Sequence, residues 1–298
     1  MRFLGNVLAT VIGIFVFMML SFFGIILIGV IFGGDSETVE VENNSVIELN
    51  LSDISDDYAG KYSDPWVTAF SERKKIGLTD VINAIEIAET DDAIKGISIL
   101  NTNSSLGIAQ SKELRDALNR FKKSGKFIYS YANNYSQKEY YLNSVATSIY
   151  INPIGELDFK GLSTEVMFFK DFQEKSGLKM EVIRHGKYKS AVEPFLTQEM
   201  SPENREQMTV LLNSVWSTIV SDIAKSRNLT IAQLDAIANS LGARTPELAL
   251  ANKLVDKVAY EDEYHDMIKA KLKVDKKEKY DIVSITDYAK KAASTVED

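Results

Sequence analysis

No charged residue lies between Arg2 and Asp35, and within that gap residues 11–32 (VIGIFVFMMLSFFGIILIGVIF) hold one serine, three glycines and otherwise only apolar side chains. A helix of that length rises about 33 Å, enough to cross a hydrocarbon core of roughly 30 Å. A cleaved signal peptide carries an apolar region of about 7–15 residues followed by an A-x-A-like site. This run is longer and no such site follows it, so residues 1–34 are expected to form an uncleaved N-terminal transmembrane anchor. Arg2 precedes the run, while Asp35, Glu37, Glu40 and Glu42 follow it. The positive-inside rule then leaves the N-terminus in the cytoplasm and the rest of the chain on the periplasmic or external side of a bacterial inner membrane, in a single-pass topology. Gly29 and Gly33 form a G-x-x-x-G pair. Glycine is common in membrane helices, so this pair is read as composition and not as a packing motif.

Residues 35–45 are acidic and polar and read as a linker. Beyond them, short apolar runs alternate with helical periodicity. Strands are expected at Val46–Leu51, Ile94–Leu100, Phe127–Tyr131 and Ser148–Ile151, the last closed by a turn at Asn152-Pro153. Helices are expected at Leu78–Ala88, capped by Thr79 and Asp80, at Ser111–Lys123 with Leu114, Leu118 and Phe121 inward, and at Gln137–Val145. Ser201-Pro202-Glu203 opens a longer helix. Along it Met208, Leu211, Leu212, Val215, Trp216, Ile219 and Ile223 recur at helical spacing, a stripe read as core or helix–helix packing. Thr245–Lys253 reads as a short helix leading into a strand-like Val255–Tyr260. The stretch from Lys271 is charged and expected to be solvated, ending in a helical Asp287–Ala293. Strands alternating with helices at this spacing make an α/β domain with a mainly parallel sheet. There is no tandem repeat.

Composition narrows the chemistry. Lys+Arg 34 against Asp+Glu 42 leaves a formal net charge of −8, which argues against nucleic acid as a partner, since phosphate binding needs clustered positive charge. The absence of cysteine removes thiolate metal sites and a thiol nucleophile. The two histidines, His185 and His265, offer no multi-histidine metal site and no identifiable triad partner. There is no phosphate-loop or dinucleotide-binding glycine pattern, and no cofactor or metal is expected.

The more informative stretch is Gly186–Phe195, GKYKSAVEPF. A lysine beside Tyr188, Ala191, Val192 and Phe195 can sit partly in an apolar pocket, where desolvation lowers an amine from about 10.4 toward a range in which it accepts protons. That is the requirement of a Ser–Lys dyad. Lys187 and Lys189 are two residues apart, and a dyad needs only one of them as its buried base. The residues alone leave open which one it is, and leave open that both are solvated.

GKYKSAVEPF followed by MSPENREQ resembles the lysine segment of the signal peptide peptidase A (protease IV) family, membrane-anchored serine proteases. LTDVINAIEIAETDDAIKGISIL, NNYSQKEYYLNSVATSIYINPIGELDFKGLS and LNSVWSTIVSDIAKSRNLT agree with the family in the same order. The resemblance implies an α/β, ClpP/crotonase-like domain of repeated β-β-α units over residues 46–270, preceded by one transmembrane helix. In the family's long form the N-terminal half supplies the general-base lysine and the C-terminal half the serine. By its place in the motif, the lysine carried over is Lys189. Glu193 is expected to point away from it, because a carboxylate on the amine favours the charged form. A partly exposed Lys189 in a groove is expected, since the family builds the site against the serine-bearing half.

The chain departs from the complete enzyme. Where the active half of the family reads small-Ser-Gly-Gly-Tyr, this chain reads Gln137-Lys138-Glu139-Tyr140, with Ser136 one residue early. The loop after the second strand, residues 101–107, lacks the glycine pair of the oxyanion hole. Residues 271–298 read as a charged tail leading to an absent C-terminal half. The resemblance thus implies a serine endopeptidase degrading cleaved signal peptides in its complete form, with this chain inactive alone. The implied partners are peptide substrates, the lipid bilayer through the N-terminal helix, the serine-bearing half and further copies in a homo-oligomer. A non-catalytic membrane-tethered scaffold of the same fold is the competing reading. A crotonase-type acyl-CoA enzyme fits less well, since an extracytoplasmic domain meets little CoA.

Overall fold

The computed structural model describes residues 2–32, 40–55, 57–58, 76–100, 103–183, 185–186 and 188–297. Residues 33–39, which include the first part of the linker, Asp56, residues 59–75, Asn101, Thr102, Arg184 and Lys187 lie outside them. The chain divides into two compact units, Met1–Glu40 and Val41–Asp298. The first contains α1, Arg2–Phe32. Its segment Arg2–Leu27 is long and apolar enough to cross a membrane, and none of its most apolar window is buried by protein.

The second unit is built on a six-stranded sheet, all of whose neighbours pair in parallel. In chain order its elements begin β1 (Ser45–Asn50), α2 (Leu78–Ala88), β2 (Ile94–Leu100), α3 (Ile108–Lys123), β3 (Phe127–Tyr135), α4 (Gln137–Asn143) and β4 (Ser148–Leu157). After a long excursion containing α5 (Lys170–Ser176) and α6 (Glu193–Leu196) come α7 (Pro202–Arg227), α8 (Ile231–Asn239) and α9 (Pro246–Ala251). Last are β5 (Lys257–Val258), α10 (Glu261–Leu272), β6 (Ile282–Ser284) and α11 (Ile285–Glu297). The order across the sheet is β5-β4-β3-β2-β1-β6. This is the parallel-sheet α/β architecture expected.

Period-two alternation divides the core between the two faces. Phe127, Tyr129, Tyr131 and Tyr150 share one face with Val46, covered by Tyr264, Ile268 and Leu272 of α10. Tyr264 is fully buried and its ring centroid lies 5.3 Å from that of Tyr131 and 5.2 Å from that of Tyr150. Its hydroxyl meets Ser98 Oγ at 2.7 Å, satisfying the one polar group on that ring. Ile128, Ile149 and Ile151 alternate with these aromatics and are buried on the opposite face.

The differences from the sequence expectations have local causes. Leu78–Ala88 is a helix as expected, but its cap position is Gly77, and Thr79 instead donates its backbone N–H to Asp57 O. The charged stretch after Lys271 is not simply solvated: Ile282–Ser284 joins the sheet beside β1, and Tyr288 of α11 is buried with its hydroxyl donating to Asp91 at 3.0 Å. Asn152-Pro153 does not end β4. Ile151 pairs with Ala132, the register then slips, and Glu156 and Leu157 pair with Asn134 and Tyr135. Pro153 lies in the bulged interval, where its missing N–H costs no ladder bond. Gly155 is required there: a Cβ would stand 1.8 Å from Asn133 O.

Candidate active-site region

The bulge sets the course of everything that follows β4. Beyond it Leu157 and Phe159 are buried, Asp158 N–H donates to Tyr135 O, and residues 160–161 arrive at the start of α4. There the side-chain amide of Gln137 is engaged on both its oxygen and its nitrogen. Its Oε1 accepts from Lys160 N at 2.9 Å and Gly161 N at 2.8 Å, and its Nε2 donates to Gly161 O at 2.7 Å. Ser136 is the cap of α4: its Oγ accepts from Glu139 N at 3.3 Å and donates to Glu139 Oε2 at 2.7 Å. The hydroxyl therefore completes a reciprocal capping box. Ser136 should accordingly resist a fluorophosphonate. Stoichiometric labelling at this residue, located by peptide mass mapping, would refute the assignment.

The lysine segment is carried by the excursion between β4 and α7. Phe169 of the chain entering α5 stacks on Phe195 with ring centroids 5.8 Å apart, and its N–H donates to Pro194 O at 2.6 Å. Gln173 Nε2 donates to Phe195 O at 2.9 Å, joining α5 to α6. Ser190–Val192 forms one 3-10 turn with Lys189 as its first flanking residue, and Pro194 opens α6 without loss of a needed N–H. Glu193 is 2 % exposed. Its Oε1 accepts from Ser201 Oγ at 2.5 Å, and its Oε2 accepts from Ser201 N at 3.3 Å and Asn204 Nδ2 at 3.0 Å. Ser201 is at the same time the cap of α7, accepting from Asn204 N at 3.1 Å.

Between the lysine loop and α7 lies an open groove of about 820 Å³. Lys189 lines it and is exposed, with His185, Tyr188 and Ile183 from its own loop and Met208 and Leu211 from α7. Tyr188 hydroxyl reaches Glu206 at 3.5 Å and Ser190 Oγ reaches Gln207 at 3.4 Å, the polar contacts across the groove floor. His185 thus shares a groove with Lys189, which its sequence context did not suggest. His265 is elsewhere, on α10: its Nδ1 meets Tyr280 Oη at 2.7 Å, near Glu48, whose carboxyl is pushed up by burial against the opposing pull of this histidine.

The core reading of the α7 stripe holds only for its C-terminal part. Ile219 and Ile223 are buried, and Trp216 packs on Phe159 at 5.4 Å, while Met208, Leu212 and Val215 are half-buried and Leu211 is 55 % exposed. Arg115 of α3 fastens the buried end. It is 1 % exposed, donates to Tyr141 O and to Ser144 Oγ (2.7 Å), and reaches Asp222 O (3.0 Å) and Ser226 Oγ (2.6 Å) of α7. Its guanidinium lies 5.0 Å over the Tyr141 ring, and Tyr141 hydroxyl donates to Asp222 at 2.9 Å. One end of α7 is thus locked to the domain while the other forms the groove wall. Sequence reading missed both Arg115 and the Glu193–Ser201–Asn204 cluster. For the latter the available signal was a carboxylate in an apolar run shortly before an S-P-E-N cap.

The profile of Peptidase family S49 matches residues 120–275, from the end of α3 through α10. Protease 4 of Haemophilus influenzae is 36% identical over 206 residues, 66% of this chain and 33% of that protein. Protease 4 of Salmonella typhi is 36% identical over 191 residues, 61% of this chain and 31% of that protein. The chloroplastic serine protease SPPA of Arabidopsis thaliana is 30% identical over 249 residues, 84% of this chain and 35% of that protein. The matched part spans about a third of the length of each of these relatives. With the family profile covering more than half of it and running from the end of α3, past the groove, into α10, the chain belongs to peptidase family S49.

Proposed function

We propose that this chain is the lysine-bearing part of a membrane-anchored serine endopeptidase of the signal peptide peptidase type. Lys189 is the general base, and the serine comes from a peptidase half outside these 298 residues. The observation that carries this reading is the presentation of Lys189, exposed, on an open groove whose α7 wall offers apolar side chains to a second surface. In the assembled site neutral Lys189 Nζ takes the serine hydroxyl proton as the oxygen attacks the scissile carbonyl. The resulting ammonium then gives that proton to the leaving amine, and water releases the acyl group by the same route. Signal peptides left in the bilayer suit an enzyme held there by α1, and a homo-oligomer gives the groove further protein to close against.

A serine-directed phosphonate tests the division of labour. The chain alone should stay unlabelled, and mixing it with a serine-bearing half should produce labelling on that half. No labelling in the mixture, with both parts folded, favours the scaffold reading, to which the engagement of Gln137 lends support.

The proposed topology places everything after Asp35 on the periplasmic side of the inner membrane. Protease added to intact spheroplasts should digest the soluble unit. Protection until the membrane is broken would reverse the orientation.

A further inference from the structure

We infer that Glu193 is a positioning residue for Lys189, acting as a clamp between the lysine turn and the first turn of α7. The inference rests on the reading of Lys189 as the general base. A carboxylate that is 2 % exposed is costly unless it is fully hydrogen-bonded, and here three donors converge on it, all from Ser201 and Asn204. All three belong to the cap and first turn of α7 and none to the body of the domain. The carboxylate sits directly after the 3-10 turn Ser190–Val192, which Lys189 flanks. Fixing Glu193 to α7 therefore fixes the backbone four residues back, from which the amine projects into the groove.

The need for such a clamp follows from the surroundings. The lysine loop lies on an excursion whose other ties are to α5 and α6, themselves part of the same excursion. The contacts across the groove floor, Tyr188 to Glu206 and Ser190 to Gln207, are long at 3.5 and 3.4 Å. The short contacts to α7 are those of Glu193. Since α7 is locked to the domain by Arg115 at its far end, the route from the rigid core to the lysine runs through α7 and Glu193. Among the described residues, the titratable side chains at the lysine turn include His185 and Tyr188 from the loop, Glu193 itself, and Glu206 from α7.

The test is made in the assembled enzyme, with pH–rate profiles on a peptide substrate and a thermal melt of each variant. Misplacing a general base by an ångström costs on the order of 10²-fold. Glu193→Ala is therefore expected to lower kcat about 10²-fold with KM held within about threefold. It should also raise the acid limb of kcat/KM by about one pH unit, as the loosened amine becomes more solvated. Glu193→Gln, which keeps an oxygen for Ser201 Oγ–H, should recover part of the rate. Asn204→Ala keeps the negative charge and removes one donor, so it should move the limb the same way by less, and it decides the matter alone if Glu193→Ala does not fold. An acid limb that falls in Glu193→Ala would show the carboxylate acting through its charge. A limb unmoved in every variant would show a purely structural role. Either result overturns the clamp. Lys189→Ala is the separate control: full activity in that variant defeats the general-base reading itself, whatever Glu193 does.

Discussion

Lys189→Ala in the assembled enzyme is expected to lower peptide hydrolysis about 10²–10⁴-fold, the contribution of a positioned general base, while the melting profile stays that of the parent. Stability is spared because Lys189 is exposed and no core volume is lost. Lys187→Ala should change the rate little, since the family motif carries the base at Lys189. Measured kcat/KM for the two variants side by side settles the assignment: equal losses at both positions would contradict it. So would a titration of the Lys189 amine in the assembled enzyme that ends at the free-lysine value, because a base must be neutral at working pH.

Arg115→Met carries the largest expected effect on stability, about 3–5 kcal/mol. The substitution keeps most of the aliphatic stem. It removes the donors that Ser144 Oγ, Ser226 Oγ and the carbonyls of Tyr141 and Asp222 now accept from, leaving Ser144 Oγ and Tyr141 O only their bond to each other. Against a typical total of about 5–15 kcal/mol this is a large fraction. Urea titration of the detergent-solubilised chain should show the midpoint fall with the slope unchanged. A shift worth less than about 1 kcal/mol would mean that α7 is held by Trp216 and Ile219 without the arginine.

How far the structure was legible in the sequence depends on which force was at work. Leu78–Ala88 and Ile94–Leu100 could be read almost to the residue, because amphipathic period and an apolar run report directly on burial. The far end of β4 could not: Asn152-Pro153 has the composition of a turn, and only the bulge opposite Asn133 shows that the strand resumes. The α7 stripe identified an apolar face but not what covers its N-terminal part, since periodicity carries no information about what lies against a face. Arg115 was invisible because an arginine between inward Leu114 and Leu118 reads as solvated until its acceptors, brought from α4 and α7, are known. At the candidate site, residue chemistry left two lysines open, and the family motif selected Lys189. The Gln137 contacts with residues 160–161 depend on the β4 bulge and had no local signature.

The position of β6 bears on how the molecule is made. Val46 pairs with Ile282 and Ile47 with Val283, so the first strand of the sheet waits for a partner segment far along the chain. Such distant pairing is slow, because the loop must close before any contact rewards it. Until then β1 has one edge unsatisfied, a template for wrong partners. A chain made from the N-terminus holds that edge open until β6 emerges, so its assembly should be more sensitive to shortages of folding helpers than its finished stability suggests.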